Sequence, residues 1–198
     1  MKIALFSPFC SQNYGTVLQA FALAKVLKSL GHECEYIDWC YYKLSKWHRL
    51  KFILRHPLFV FYYKKNQKHR SKDLSYSYVK EDKYLSIMSK NRIFCDKYIP
   101  YVKYRYPIDE LSNIEKYYDK FVVGSDQTWS PNNLYQYSPY YLSFIKNSSK
   151  KASYACSCGT TNLPSSFRHF LRLKLKSFDK LSCREQTNAA LLTTLLNR

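Results

Sequence analysis

The stretch that decides the fold is residues 2–38, "KIALFSPFCSQNYGTVLQAFALAKVLKSLGHECEYID". It opens with "KIALFS", a short apolar run of strand character. From Val17 the apolar positions Val17, Leu18, Ala20, Phe21, Leu23, Ala24, Val26, Leu27 and Leu30 recur as a broad 3.6-residue stripe, the mark of a helix. Gly31 follows as a natural C-terminal cap. "ECEYID" then brings Cys34, Tyr36 and Ile37 into a second strand that is expected to end at Asp38. Strand, helix and strand in this order open a parallel sheet. The loop between the first strand and its helix holds one glycine, Gly15, and not the G-x-G-x-x-G that cradles a dinucleotide.

The alternation continues along the chain. A basic segment at about 43–80 interrupts it and reads as helix in two pieces broken at Pro57. "YLSIMSKNRIFCDKYI" (84–99) resumes helical spacing, with Pro100 just past its end. "IDELSNIEKYYDKFVVGSDQTW" reads as a short acid-rich helix, a strand over 120–123 and a turn at Gly124. "KKASYACSCGT" reads as a buried strand closing on Gly159. "SSFRHFLRLKLKSF" follows as a helix capped by Ser165 or Ser166, then "KLSC" as a short strand and "REQTNAALLTTLL" as a final helix. There are no repeats and no low-complexity linker. The fold class is therefore α/β with a mainly parallel sheet and helices on both faces.

Charge and composition narrow the function classes. With 32 Lys and Arg against 14 Asp and Glu, the net charge of +18 fits nucleic acid, anionic headgroups or a phosphorylated substrate. Residues 43–72 are rich in Lys and Arg, carry no acid and interleave Trp47, Phe52, Phe59, Phe61, Tyr62 and Tyr63. A solvated helical face and a membrane-surface patch both fit that pattern. Specific nucleic-acid binding ranks behind them, because no helix-turn-helix, zinc-finger or RNP pattern accompanies the charge. No apolar run is long enough to cross a bilayer and no secretory pattern opens the chain, so the expected location is cytoplasmic. Seven cysteines without C-x-x-C spacing read as buried free thiols, and no metal is expected.

In a parallel sheet ligands gather outside the carboxyl ends of the strands. Polar clusters fall there at 11–15, 124–129 and 157–161, and at Arg184-Glu185. Alone, Gly124-Ser125-Asp126 reads as an ordinary turn. Together, the order and spacing of "NYGTVLQAFAL", "LGHECEYIDW", "FVVGSDQTWSP", "YYLSFIKNSSKKASYACSCGT" and "LSCREQTNAALL" resemble the polysaccharide pyruvyl transferase family, over nearly the whole chain. The central "FVVGSDQTWSP" is the most specific of these.

The resemblance implies a Rossmann-like domain over residues 1–198, one half of a glycosyltransferase-B-like architecture whose carboxyl-terminal domain is expected to be missing from this chain, the chain being either a truncated gene product or a half whose partner domain is separately encoded. It implies transfer of a pyruvyl ketal from phosphoenolpyruvate, as donor co-substrate and with no other cofactor, to a sugar of a cell-surface polysaccharide or its precursor. The acceptor would be a sugar or a lipid-linked oligosaccharide, met in the cytoplasm or at the inner face of the membrane. Asp126 would take a proton from the attacking hydroxyl and Arg184 would meet the donor's phosphate or carboxylate. Asn13, Gln19, Ser125 and Gln127 would hold hydroxyls, and Tyr14 or Trp129 would stack on a sugar face. Gly15 and Gly124 would give close backbone approach. None of His32, His48, His56, His69 or His169 falls in a catalytic motif of the family. The isolated chain is accordingly expected to supply the acceptor side and to turn over negligibly. The alternative is a non-catalytic α/β protein that meets a membrane surface or other anion through the basic segment.

Overall fold

The computed structural model describes residues 1–40, 54, 57, 81–131 and 139–197, with the side chains of 81–88 left aside. The basic segment expected over 43–80 therefore lies outside the described residues, apart from two positions.

The main sheet has four strands, β1 (Lys2–Phe6), β2 (Glu33–Tyr36), β5 (Lys120–Asp126) and β6 (Lys151–Cys156), in the order β2-β1-β5-β6. All three pairings are parallel. Chain order reverses between β1 and β5, which makes their carboxyl ends the switch point of the sheet. A separate two-stranded ribbon joins β3 (Trp39–Cys40) to β4 (Tyr106–Pro107).

Alternation in the strands builds two cores. Ile3 and Leu5 of β1 point to the face covered by α1 (Tyr14–Ser29) and α2 (Glu81–Tyr98), where Val17, Ala20, Leu23, Cys34 and Cys95 are buried. Ala4 and Phe6 point to the opposite face with Phe121 and Val123. There α3 (Ser165–Leu175) and α4 (Gln186–Leu196) bring Phe167, Phe170 and Leu192. The sheet thus carries helices on both faces, as its pattern dictates.

Some boundaries differ from the sequence expectation. β2 stops at Tyr36, and Asp38 leads instead into the ribbon. Residues Ile108–Tyr117 form a 3-10 helix, not an α-helix, burying Leu111 and Ile114 on one three-residue ridge. β5 runs on through Gly124, Ser125 and Asp126, where a turn was expected. "KLSC" contributes only two isolated bridges, Lys180 to Ala152 and Cys183 to Cys156. Pro164 occupies the N-cap of α3, without a side-chain cap from Ser165 or Ser166. Gly31, with φ of 79°, does follow the last turn of α1 and donates to the Lys28 carbonyl. All seven cysteines are free thiols, five of them buried.

Candidate functional site

The switch point is held rigid from three sides. The loop after β1 is fastened by α2: Asn91 donates to the Ser11 carbonyl at 2.6 Å and the Cys95 thiol to the Phe9 carbonyl at 3.2 Å. Asn13 then caps α1, its Oδ1 accepting from the Gly15 N–H at 2.8 Å. A Cβ on Gly15 would stand 3.1 Å from that oxygen, so the glycine leaves room for the cap. At the next residue, the Thr16 hydroxyl donates to Asp126 Oδ2 at 3.1 Å.

Asp126 sits in unusual backbone. Ser125 has φ of 36° and Asp126 φ of 91°, and Ala155 on the paired strand has φ of 51°. The ladder pairs Gly124 with Tyr154 and Asp126 with Cys156, passing over Ser125 and Ala155. Left-handed backbone in non-glycine residues is strained and persists only where the surroundings enforce it. Here the Asp126 carbonyl accepts from the Thr128 and Ser157 N–H groups, and its Oδ1 from the Gln127 N–H at 2.8 Å.

Arg184 closes the group from the far side. Its own N–H is tied to the Cys156 carbonyl. Its guanidinium lies 3.8 Å from Asp126 Oδ1 and 2.7 Å from Glu185 Oε1. Burial would raise the Glu185 carboxyl, but hydrogen bonds from Asn188, Ser157 and Arg184, with the guanidinium charge, outweigh it and hold the group down at about 2. Thr16, Asp126, Arg184, Glu185 and Asn188 thereby form one polar line along the carboxyl edge, from α1 to α4. Asp126 and Arg184 are each about a third exposed, so both reach solvent.

The structure thus brings Asn13, Tyr14, Gly15, Ser125, Asp126, Gln127 and Arg184 to the carboxyl edge. Tyr14 is 54% exposed, and Gln127 is exposed with its side chain against Gly159, where a Cβ would clash at 2.8 Å. Gln19 is half-buried one turn into α1. Two expected contacts are corrected. Gly124 is buried beneath α1, where a Cβ would fall 2.4 Å from Leu23 Cδ2, so its role is helix-on-strand packing and it faces no cleft. Trp129 has no exposure at all; its ring packs edge-on to Phe178 and its indole N–H donates to the Tyr140 carbonyl. It offers no face to a sugar.

A cleft of about 660 Å³ opens on the β2 side of the same edge, and sequence reasoning missed it. Ser7, Phe9 and Cys10 after β1 line it, with Asp38 and Trp39 after β2, Arg92 of α2, Arg105 and Tyr140. Trp39 and Tyr140 meet edge to face at 5.6 Å. Arg105 pairs with Asp38 at 3.5 Å, and Arg92 donates to the Tyr101 hydroxyl at 2.8 Å. Aromatic walls with carboxylate and guanidinium groups between them suit a polar ring that carries hydroxyls. These residues lie far apart in the chain, and no local spacing announces them.

Among the described residues no cluster of three His, Cys, Asp or Glu side chains is placed to hold a metal ion, and no helix is long and apolar enough to cross a membrane. The sequence model of the family described as "Polysaccharide pyruvyl transferase" matches residues 13–197. No curated protein and no solved structure gives a significant match.

Proposed function

The chain belongs to the polysaccharide pyruvyl transferase family, and from that premise we propose that its carboxyl edge presents a sugar acceptor to phosphoenolpyruvate. In ketal formation, carbon 2 of the enolpyruvyl group gains bonds to two sugar oxygens and loses its bond to the phosphate oxygen. Of the two hydroxyl protons, one ends on the methylene carbon, making it methyl, and the other leaves with phosphate.

Two of these demands, removal of the hydroxyl proton and neutralisation of the donor's charge, fall to groups on this edge. Asp126 takes the proton of the attacking hydroxyl, its carboxylate aimed by Thr16 and by the Gln127 N–H. Arg184 is fixed by Glu185 and meets no acceptor at Nη2 among the described residues, so that nitrogen can turn to the donor's phosphate or carboxylate. The sugar lies in the neighbouring cleft against Trp39 and Tyr140. The observation that carries the reading is the strained Asp126, held by hydrogen bonds from four residues, beside a guanidinium at the switch point.

Binding tests this without requiring turnover. Titration calorimetry of the full chain with phosphoenolpyruvate should show Arg184→Gln weakening it by at least about tenfold, the scale of one charge-assisted hydrogen bond. Ligand-observed NMR with mannose- and galactose-containing disaccharides should show Trp39→Ala reducing saturation transfer while Arg184→Gln leaves it unchanged. Unaltered phosphoenolpyruvate affinity in Arg184→Gln would remove the donor assignment.

A further inference from the structure

α1 is apolar on both of its sides. Inward it buries Val17, Ala20, Leu23 and Ala24; outward Tyr14, Leu18, Val26 and Leu30 are each more than half exposed. A helix that is apolar all round belongs under cover. Beside it α2 turns Ile93 outward, 68% exposed, together with Tyr98. Phe21, Phe94 and Tyr98 knit the two helices together, with ring centroids 4.9–6.2 Å apart.

Cations are set among these side chains. The Lys25 ammonium lies 5.7 Å from the Phe21 ring centroid and that of Lys97 5.1 Å from the Tyr98 centroid, while Lys28 and Lys90 are exposed nearby. α1 contains no acid. On the described part of α2 the one acid, Asp96, is engaged by Arg92, Tyr101 and Lys103 on the flank away from α1.

We propose that this outer face of α1 and α2 docks on an anionic phospholipid bilayer. Aromatic and aliphatic side chains at the boundary, with exposed lysines set beside them, are what the interfacial zone selects. The charge is complementary: among the described residues the face carries lysines without an answering acid, on a chain of net charge +18. A second copy of the chain fits worse, because a two-fold contact would set Lys25, Lys90 and Lys97 against their own counterparts. α2 also lines the cleft through Ser89 and Arg92, so one helix would meet lipid on one flank and a lipid-anchored acceptor on the other. The lipid contact does not depend on the transferase reading.

The test is sedimentation of the full chain with vesicles of phosphatidylcholine alone, or mixed with phosphatidylglycerol, in low salt. Lys25→Glu/Lys97→Glu is compared with Arg172→Glu/Lys176→Glu, the same charge change at the last turn and C-cap of α3 across the sheet. Wild type and the α3 variant should bind the anionic vesicles. The face variant should lose at least about tenfold, since each lysine near such a surface contributes several-fold, and Leu18→Ser/Ile93→Ser should lose comparably. Circular dichroism checks that each variant is folded. Hydrogen exchange of the wild type should show vesicle-dependent protection over residues 14–30 and 90–98, whatever the variants do. Equal loss in the face and α3 variants, or absence of that protection, would overturn the proposal. So would a dimer in light scattering that Leu18→Ser/Ile93→Ser dissociates.

Discussion

Replacing Gly124 with alanine probes the contact that sets α1 over β5. The added methyl would stand 2.4 Å from Leu23 Cδ2, well inside the roughly 3.5–4.0 Å of an ordinary carbon contact. Leu23 is buried, so its side chain cannot swing to solvent; it must leave its rotamer or α1 must lift. Overpacking of this kind costs about 1–3 kcal/mol. The φ of Gly124 is not in the left-handed region, so alanine would also restrict the unfolded chain, offsetting about 0.4–1 kcal/mol. The expected net loss is about 1–2 kcal/mol, a fall of about 2–8 °C in Tm for a chain of this size. In a Leu23→Ala background the obstacle is gone and the same substitution should become neutral or slightly stabilising, a coupling of about 1–2 kcal/mol. Urea unfolding followed by tryptophan fluorescence measures all four proteins. Additive effects, or an alanine that is harmless with Leu23 present, would refute the assigned packing. Because Thr16 rides on the same helix, a lifted α1 would also loosen its bond to Asp126.

The other expectations are briefer. Trp129→Ala should destabilise by about 3–5 kcal/mol in urea unfolding, as for a large aromatic removed from a core, and an effect below about 1 kcal/mol would contradict its burial. The Glu185 carboxyl is held below its ordinary value, so its stabilising contribution is complete above the unfolded-state value near 4.5 and is lost as pH falls through about 2. With the group about a third exposed, that contribution is on the order of 1 kcal/mol, and Glu185→Gln should flatten this part of the Tm profile between pH 5 and 2. Ellman's reagent at pH 8 should modify the half-exposed Cys10 first. Cys183, pushed up to about 11 by burial and then by the Glu185 charge, should follow slowly, and Cys156 and Cys158, pushed up to about 12 by burial, should react only on unfolding.

What the sequence discloses here depends on how local the cause is. β1 is legible as a short continuous apolar run, α1 because a 3.6-residue period repeats several times, and β2 because Cys34 and Tyr36 alternate with glutamates. The 3-10 helix was legible in principle: Ile108, Leu111 and Ile114 recur at strict threes. "GSD" misleads because its letters are turn letters, while the ladder from β6 draws the strand on through them in left-handed backbone. Trp129 misleads in the opposite way, an aromatic among polar neighbours whose ring is claimed by Phe178, about fifty residues on. Asp126 and Arg184 could be paired from the shared edge of the sheet. Asp38, Trp39, Arg92, Arg105 and Tyr140 could not, because only tertiary structure gathers them.

The pairing of β1 has a consequence for the protein's synthesis. Its partner on one side, β2, emerges from the ribosome soon after it, but its partner on the other, β5, begins only at Lys120. At about 5–20 residues per second, the stretch from Tyr36 to Lys120 takes roughly 4–17 s to appear. For that interval Ala4 and Phe6, which end fully buried, have no β5 to pair beside and no α3 or α4 to cover them. The nascent chain therefore passes through a state with an open, apolar strand edge at what becomes the middle of its sheet. Holdase chaperones should engage it most strongly between the emergence of β2 and that of β5, and truncations ending in that window should aggregate where longer ones stay soluble.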